Sequence, residues 1–138
     1  MKPDTLDGVR AFHEAYGLPI KDAPDLSDQR VNTLRINLLQ EELDELKEAL
    51  AENDPVGVLD ALTDLQYVLD GAYLSLGYHA LKDVAFAEVQ RSNMSKLGAD
   101  GKPVVRPEDG KILKGPDYSP PDLIKVMDAW LKTNKKAA

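Results

Sequence analysis

Apolar residues recur every three to four positions along most of the chain, the spacing of amphipathic helices, and glycine, proline and capping residues punctuate it. Asp4 and Thr5 offer caps for a first helix that runs to Tyr16 and stops at Gly17, with Pro19 beyond. Residues 18–26 (LPIKDAPDL) carry two prolines and read as a loop. Ser27 is the expected N-cap of a second helix continuing to Glu52. Asn53-Asp54-Pro55 is a break, and Pro55 suits the first turn of a third helix that ends at Leu76 before Gly77. A fourth helix is predicted from Ala80 to Leu97, closed by Gly98. The character then changes. Lys102–Arg106 and Lys111–Lys114 are β-like runs around Pro107-Glu108-Asp109-Gly110, which reads as a hairpin. Ser119-Pro120-Pro121 leads into a last helix from Asp122 to Thr133, and residues 134–138 are expected to fray.

The expected fold class is all-α: an antiparallel bundle of about five helices with a small β-hairpin before the C-terminal helix. A single domain over 1–138 is expected, its core bundle at 27–97 and the hairpin and last helix at 98–133. The third helix is apolar nearly all round, through Val56, Val58, Leu59, Leu62, Leu65, Val68, Leu69, Leu74 and Leu76. A helix without a polar face is buried on all sides. One small bundle cannot surround it, so the fold is expected to be completed by self-association, with homodimer and homotetramer both open.

Composition narrows the function. The 138 residues make about one domain. Seventeen basic against 24 acidic residues give a net charge of −7, which argues against a nucleic acid polymer as partner. There is no cysteine, so disulfides, thiolate metal sites and cysteine nucleophiles are excluded. No apolar run approaches the ~20 residues of a membrane span, and Met1-Lys2-Pro3-Asp4 has no signal-peptide core behind it. A cytoplasmic protein with no membrane partner is the expectation.

The charges carry the chemistry. At about 100° per residue, Val31, Leu38, Leu39, Leu46, Ala49 and Leu50 fall in one arc of the second helix. Glu42 lies inside that arc and Glu45 on its edge, whereas Glu41, Glu48 and Glu52 cluster further round like a solvated face. Arg35 and Asn32 also fall in the apolar arc. On the third helix Asp60 and Asp64 sit one turn apart, with Val68 and Gly71 continuing their stripe. A buried carboxylate must be paired, hydrogen-bonded or bound to a metal. Arg35 can neutralise one of these four acids but not all of them. Oxygen-only ligation fits Mg²⁺ or Mn²⁺. A di-iron bundle would supply Glu-x-x-His pairs, and neither His13 nor His79 has a glutamate three residues earlier. A hard cation among carboxylates serves phosphate chemistry. The fourth helix adds Arg91, Asn93 and Lys96, and the hairpin adds Lys102, Arg106, Lys111 and Lys114. Plainer roles stand beside these: His13 and His79 as packing or surface groups, Tyr67 and Tyr73 as core, the hairpin lysines as soluble turns, and Arg91 as an i, i+3 partner of Glu88.

The ordered set of segments resembles a known family. EELDE at 41–45 looks like the EExxE element of the all-α nucleoside-triphosphate pyrophosphohydrolases, which include MazG proteins, dimeric dUTPases and phosphoribosyl-ATP pyrophosphohydrolase. DALTDLQYVLDG at 60–71 looks like their second acidic helix. FHEAYGLP at 12–19, EVQRSNMSK at 88–96 and the DGK…KGPDYSPPDL tail through residue 123 are closest to the MazG-like, phosphoribosyl-ATP pyrophosphohydrolase-like branch. The resemblance implies Mg²⁺-dependent cleavage of a nucleoside triphosphate between the α and β phosphates, giving monophosphate and pyrophosphate in nucleotide-pool clean-up, by a bundle of associated chains. By position, Glu42, Glu45 and Asp64 would hold the metal, and Glu41 or Glu45 would act as general base. Arg35, Arg91, Asn93 and Lys96 would contact substrate. The family's ExxD glutamate is replaced here by Ala61, and Asp60 on the same face is the candidate substitute. The phosphoribosyl-ATP step of histidine biosynthesis is the alternative activity. A non-catalytic helical interaction module and a metal-carboxylate redox bundle are the readings from other classes.

Overall fold

The computed structural model describes residues 4–134. Its elements in order are α1 (Thr5–Tyr16), α2 (Gln29–Ala51), α3 (Pro55–Leu76), a 3₁₀ turn at His79–Leu81, α4 (Lys82–Met94), β1 (Val104–Val105), β2 (Ile112–Leu113) and α5 (Leu123–Thr133). The all-α class with one small hairpin is therefore what forms. The chain divides into two compact units, one up to Ala80 and one from Leu81 onward. The frayed tail expected at 134–138 lies, beyond Asn134, outside the described residues.

In the first unit α1 packs on α3, and α2 packs on α3 along its length. Each helix starts on an aspartate. Asp4 accepts from Leu6 N, and Asp54 accepts from Gly57 N with Pro55 in the first turn. Asp28, not Ser27, caps α2: its carboxylate accepts from Arg30 N at 3.0 Å and Val31 N at 3.3 Å. Ser27 is drawn the other way, donating from N and Oγ to Asp25 at 2.9 and 2.6 Å. A carboxylate is the stronger acceptor for the helix amides, and the serine hydroxyl is consumed in a local turn. The loop at 18–26 lies along the last turn of α3. Lys21 N and Asp25 N donate to the carbonyls of Leu74 and Leu76 at the end of the helix. Gly77, at φ +81°, makes room for this strap, because a Cβ there would collide with the Ala23 carbonyl.

The α2–α3 seam is built on small residues. A Cβ on Gly57 would lie 3.2 Å from Ala49 Cβ, and a Cβ on Gly71 would collide with Arg35 Nη1. The two contacts are fourteen residues apart on each helix and run in opposite directions, which fixes an antiparallel register. The inner residues are Val9, Ala49, Ala61, Ala72 and Leu74. One chain leaves part of α3 uncovered: Val56 is 75% and Leu59 67% exposed, and Leu62 and Leu69 are exposed as well.

In the second unit α4 begins later and ends earlier than the predicted Ala80–Leu97. Its start is a separate 3₁₀ turn, and its end comes at Ser95, whose Oγ donates to the Ser92 carbonyl at 2.6 Å and accepts from Ser119 N at 2.8 Å. A side chain that competes for helix carbonyls unwinds the last turn. The hairpin is shorter than its β-like runs, with only Val104 opposite Leu113 and Val105 opposite Ile112. Asp122 caps α5 by accepting from Lys125 N at 3.0 Å. Among the described residues no helix is long and apolar enough to cross a membrane.

Candidate active site

Midway between the Ala49–Gly57 and Arg35–Gly71 contacts, α2 and α3 bring their acids together. One carboxylate oxygen each from Glu42, Glu45 and Asp64 lies within 4.8 Å of the other two. Two turns of helix separate Glu42 from Arg35 and from Ala49, so all three share the seam face of α2. Glu45, one turn on, reaches the cluster from the exposed edge, while Glu42 and Asp64 are half-buried.

The electrostatics are unfavourable without a cation. Partial burial pushes the Glu42 carboxyl up to about 7, and its neighbours Glu45, Asp64 and Asp60 push the same way. Burial, then Asp60 and Glu45, raise Asp64 too. Glu42 Oε2 is fully enclosed with no hydrogen-bond partner among the described residues. Three hard oxygen donors, one of them orphaned, fit a divalent cation, which would supply the missing partner and favour the charged form of Glu42 and Asp64.

The other candidates fall into place one by one. Asp60 faces the cluster closely enough to raise Asp64 but stands outside the three-ligand group, and it is exposed. Glu41 lies exposed beside the cluster, and Glu48 and Glu52 form the expected solvated face. Arg35 corrects an expectation: it pairs with none of the carboxylates. It is 6% exposed, and its Nε is enclosed without a hydrogen-bond partner among the described residues. Its guanidinium lies over Gly71 beside His13.

His13 is buried, as its packing role implies, with Nδ1 3.1 Å from the Pro19 carbonyl. Burial lowers its pKa, the Pro19 contact opposes this, and Arg35 lowers it again. Helix phase alone does not reveal its contact with Arg35. Gly71 on the acidic stripe is the available signal, since a glycine inside a helix often marks a close approach.

In the second unit, Asn93 and Lys96 line a groove of about 360 Å³ with Pro103 and Ile112. Arg91 is engaged in structure. It donates to both oxygens of Glu88, at 2.7 and 3.0 Å, and to the Pro120 carbonyl, while Asp122 N donates to Glu88. That bidentate pair holds Glu88 down to about 2 and ties α4 to the start of α5. Tyr67 stacks edge-on against Phe12, which also touches Tyr16. Lys114 sits over the Tyr118 ring, a packing role for one hairpin lysine.

Comparison with known proteins bears on this arrangement. The family model described as phosphoribosyl-ATP pyrophosphohydrolase matches residues 9–93, which span α1 to α3 and nearly all of α4. No curated protein matches the chain. A solved structure from Exiguobacterium sp. 255-15, of a protein proposed to be an NTP pyrophosphohydrolase, is 22% identical over all of both chains, with a TM-score of 0.33.

Proposed function

The chain belongs to the phosphoribosyl-ATP pyrophosphohydrolase family of nucleotide pyrophosphohydrolases, and on that premise we propose that it cleaves nucleoside triphosphates between the α and β phosphates, releasing monophosphate and pyrophosphate. The observation that carries the reading is the meeting of Glu42, Glu45 and Asp64 within 4.8 Å on two helices of the matched segment.

These three carboxylates would hold Mg²⁺, with Mn²⁺ as a substitute, and Asp60 would reinforce their charge. The cation supplies charge neutralisation at the phosphates and a more acidic water. Glu45 or Glu41, both open to solvent, accepts the proton of the attacking water. The family resemblance assigns Asn93 and Lys96 to the phosphate or sugar of the substrate, with Lys96 offsetting charge on the leaving pyrophosphate. Arg91, held by Glu88, serves the fold instead. The exposed leucines of α3, with Ile36, Leu43 and Leu50 of α2, support a second copy as the cover of this face. A cytoplasmic role in nucleotide-pool clean-up fits this chemistry. Phosphoribosyl-ATP is the alternative substrate, favoured by the family description.

The test is a panel of nucleoside triphosphates and phosphoribosyl-ATP, each with Mg²⁺ or Mn²⁺, scored for pyrophosphate against orthophosphate. Pyrophosphate as the direct product is expected. Orthophosphate as the direct product would contradict the reading, and turnover of phosphoribosyl-ATP alone would select the biosynthetic alternative.

A further inference from the structure

The groove of about 360 Å³ in the second unit has walls to which the proposed function gives no task. Asn93, Met94, Lys96 and Leu97 enter it from the end of α4 and the turn that follows, and Pro103 and Ile112 enter it from the two arms of the hairpin. The backbone fixes this arrangement. Gly98 N donates to Lys102 O at 2.7 Å, which ties the first arm to the turn after α4. Gly115 N donates to Lys96 O at 2.9 Å, which ties the second arm to Lys96 itself. Both ties are close. A Cβ on Gly115 would collide with the Lys96 and Leu97 carbonyls, and one on Gly98 would lie 3.1 Å from Lys102 O. A groove held in this way is formed before a ligand arrives, which lowers the entropy lost on binding.

Its lining divides into two kinds. Met94, Leu97 and Ile112 are apolar and exposed, and Pro103 adds a fourth apolar surface. Asn93 and Lys96 are the polar members, and among the described residues neither side chain has a hydrogen bond, an ion pair or a ring contact. Their neighbours are committed. Arg91 is held by Glu88, Ser95 by Ser119, Arg106 by Asp109, and Lys114 covers the Tyr118 ring. Inorganic phosphate would satisfy Lys96 and leave the apolar surfaces wet. A wholly apolar ligand would cover those surfaces and leave the amide and the ammonium at its edge unused. A ring system that carries a phosphate uses both, and the volume falls in the range of small-molecule sites.

We propose that this groove is a nucleoside-phosphate site, with the base against Met94, Leu97, Pro103 and Ile112 and the sugar and phosphate at Asn93 and Lys96. The assignment rests on the proposed hydrolysis for the identity of the ligand as a nucleotide, and it adds the hairpin as the element that holds the base. The apolar walls present no polar edge to match, and the Asn93 amide both donates and accepts. The groove therefore grips purine and pyrimidine alike.

The experiment measures metal-free binding of ribose 5-phosphate, adenosine 5′-monophosphate and uridine 5′-monophosphate to the full chain and to Ile112→Ala, Met94→Ala and Lys96→Gln. The native protein is expected to bind each nucleotide at least about tenfold more tightly than ribose 5-phosphate, a difference of about 1.4 kcal/mol. Ile112→Ala and Met94→Ala, both at exposed positions, are each expected to reduce that ratio about threefold or more, with ribose 5-phosphate and Mn²⁺ binding unchanged. Lys96→Gln is expected to weaken all three ligands by the same factor. A native ratio near one overturns the assignment, and so does a ratio that neither alanine variant moves. A sedimentation change in Ile112→Ala with an unmoved ratio also overturns it, making the groove a contact between copies. The expected ratios without pyrophosphate release from any triphosphate would remove the proposed hydrolysis and leave the nucleotide site standing.

Discussion

Glu42 and Asp64 face one another across the α2–α3 seam at the midpoint between two contacts of the helices, Ala49 on Gly57 and the Arg35 guanidinium over Gly71. Seven residues separate successive meetings on each helix, so the register repeats every two turns. The packing on either side of them sets the separation of the two helices at the carboxylates.

Removing one of these charges should stop the reaction without unfolding the chain. Glu42→Gln or Asp64→Asn is expected to lower the rate of pyrophosphate release at least a hundredfold, with an unchanged circular dichroism spectrum. Glu48→Gln, on the solvated face, should leave the rate within twofold. A fall at Glu48 equal to that at Glu42 would favour an acidic docking surface over a metal site.

The same cluster sets a pH dependence. The Glu42 carboxyl titrates near 7 in the folded chain against an ordinary value of 4.5, and Asp64 is shifted in the same direction. Between those pH values the native carboxyl keeps a proton that the unfolded chain releases. This contribution therefore favours the folded state at low pH and is lost as pH rises towards and through 7. A divalent cation reverses it by favouring the charged form. The gap in thermal midpoint between the Mg²⁺-loaded and metal-free protein should widen from pH 5 to pH 8. A gap independent of pH would show that these acids do not bind the cation.

Glycine substitutions separate crowded seam from open helix. Gly71→Ala would drive a methyl into Arg35 Nη1 and to 3.2 Å from His13 Nε2. It is expected to displace the Arg35 guanidinium, and the cost of that shift offsets the helix-propensity gain. Gly8, inside α1 with nothing within 4 Å of where a Cβ would stand, is the control. Gly8→Ala should stabilise by up to about 1 kcal/mol through helix propensity. Equal midpoints for the two variants in a thermal melt would contradict the close approach of Arg35.

The start of α2 gives a local test. Asp28→Ala removes the acceptor of two helix amides and should cost about 1 kcal/mol. Ser27→Ala should cost less, since Ser27 bonds only Asp25. A reversed order in chemical denaturation would restore Ser27 as the cap.

The uncovered leucines of α3 call for a partner surface. Sedimentation equilibrium is expected to show a dimer or tetramer, and Leu59→Lys with Leu62→Lys should shift it towards monomer. A native chain that sediments as a monomer would remove the second copy from the proposal.

Much of this is legible in the residues because the signals are local. Pro55 and Gly77 bracket α3 by fixing backbone angles, and the structure ends α3 where they stand. The inward phase of Glu42 follows from a 3.6-residue period and needs no tertiary knowledge. What periodicity misses is pairing between elements. Arg35 shares the arc of Glu42, yet its place over Gly71 beside His13 depends on α1 and α3, which phase on α2 does not report. The cap of α2 escapes the sequence because Ser27 and Asp28 are adjacent and equally suited, and only the turn with Asp25 separates them. Asp60 belongs to the expected face of α3, but a helical wheel cannot say that it stops short of the three-carboxylate group.

The central claim is that Glu42, Glu45 and Asp64 together bind a divalent cation, and a titration of the metal-free protein with Mn²⁺, followed by electron paramagnetic resonance, tests it most directly. The account expects saturable binding in the native chain at pH 8, weakened at least tenfold in Glu42→Gln and in Asp64→Asn and unaltered in Glu48→Gln. Binding of equal strength in all four proteins, or none in the native chain, would contradict it.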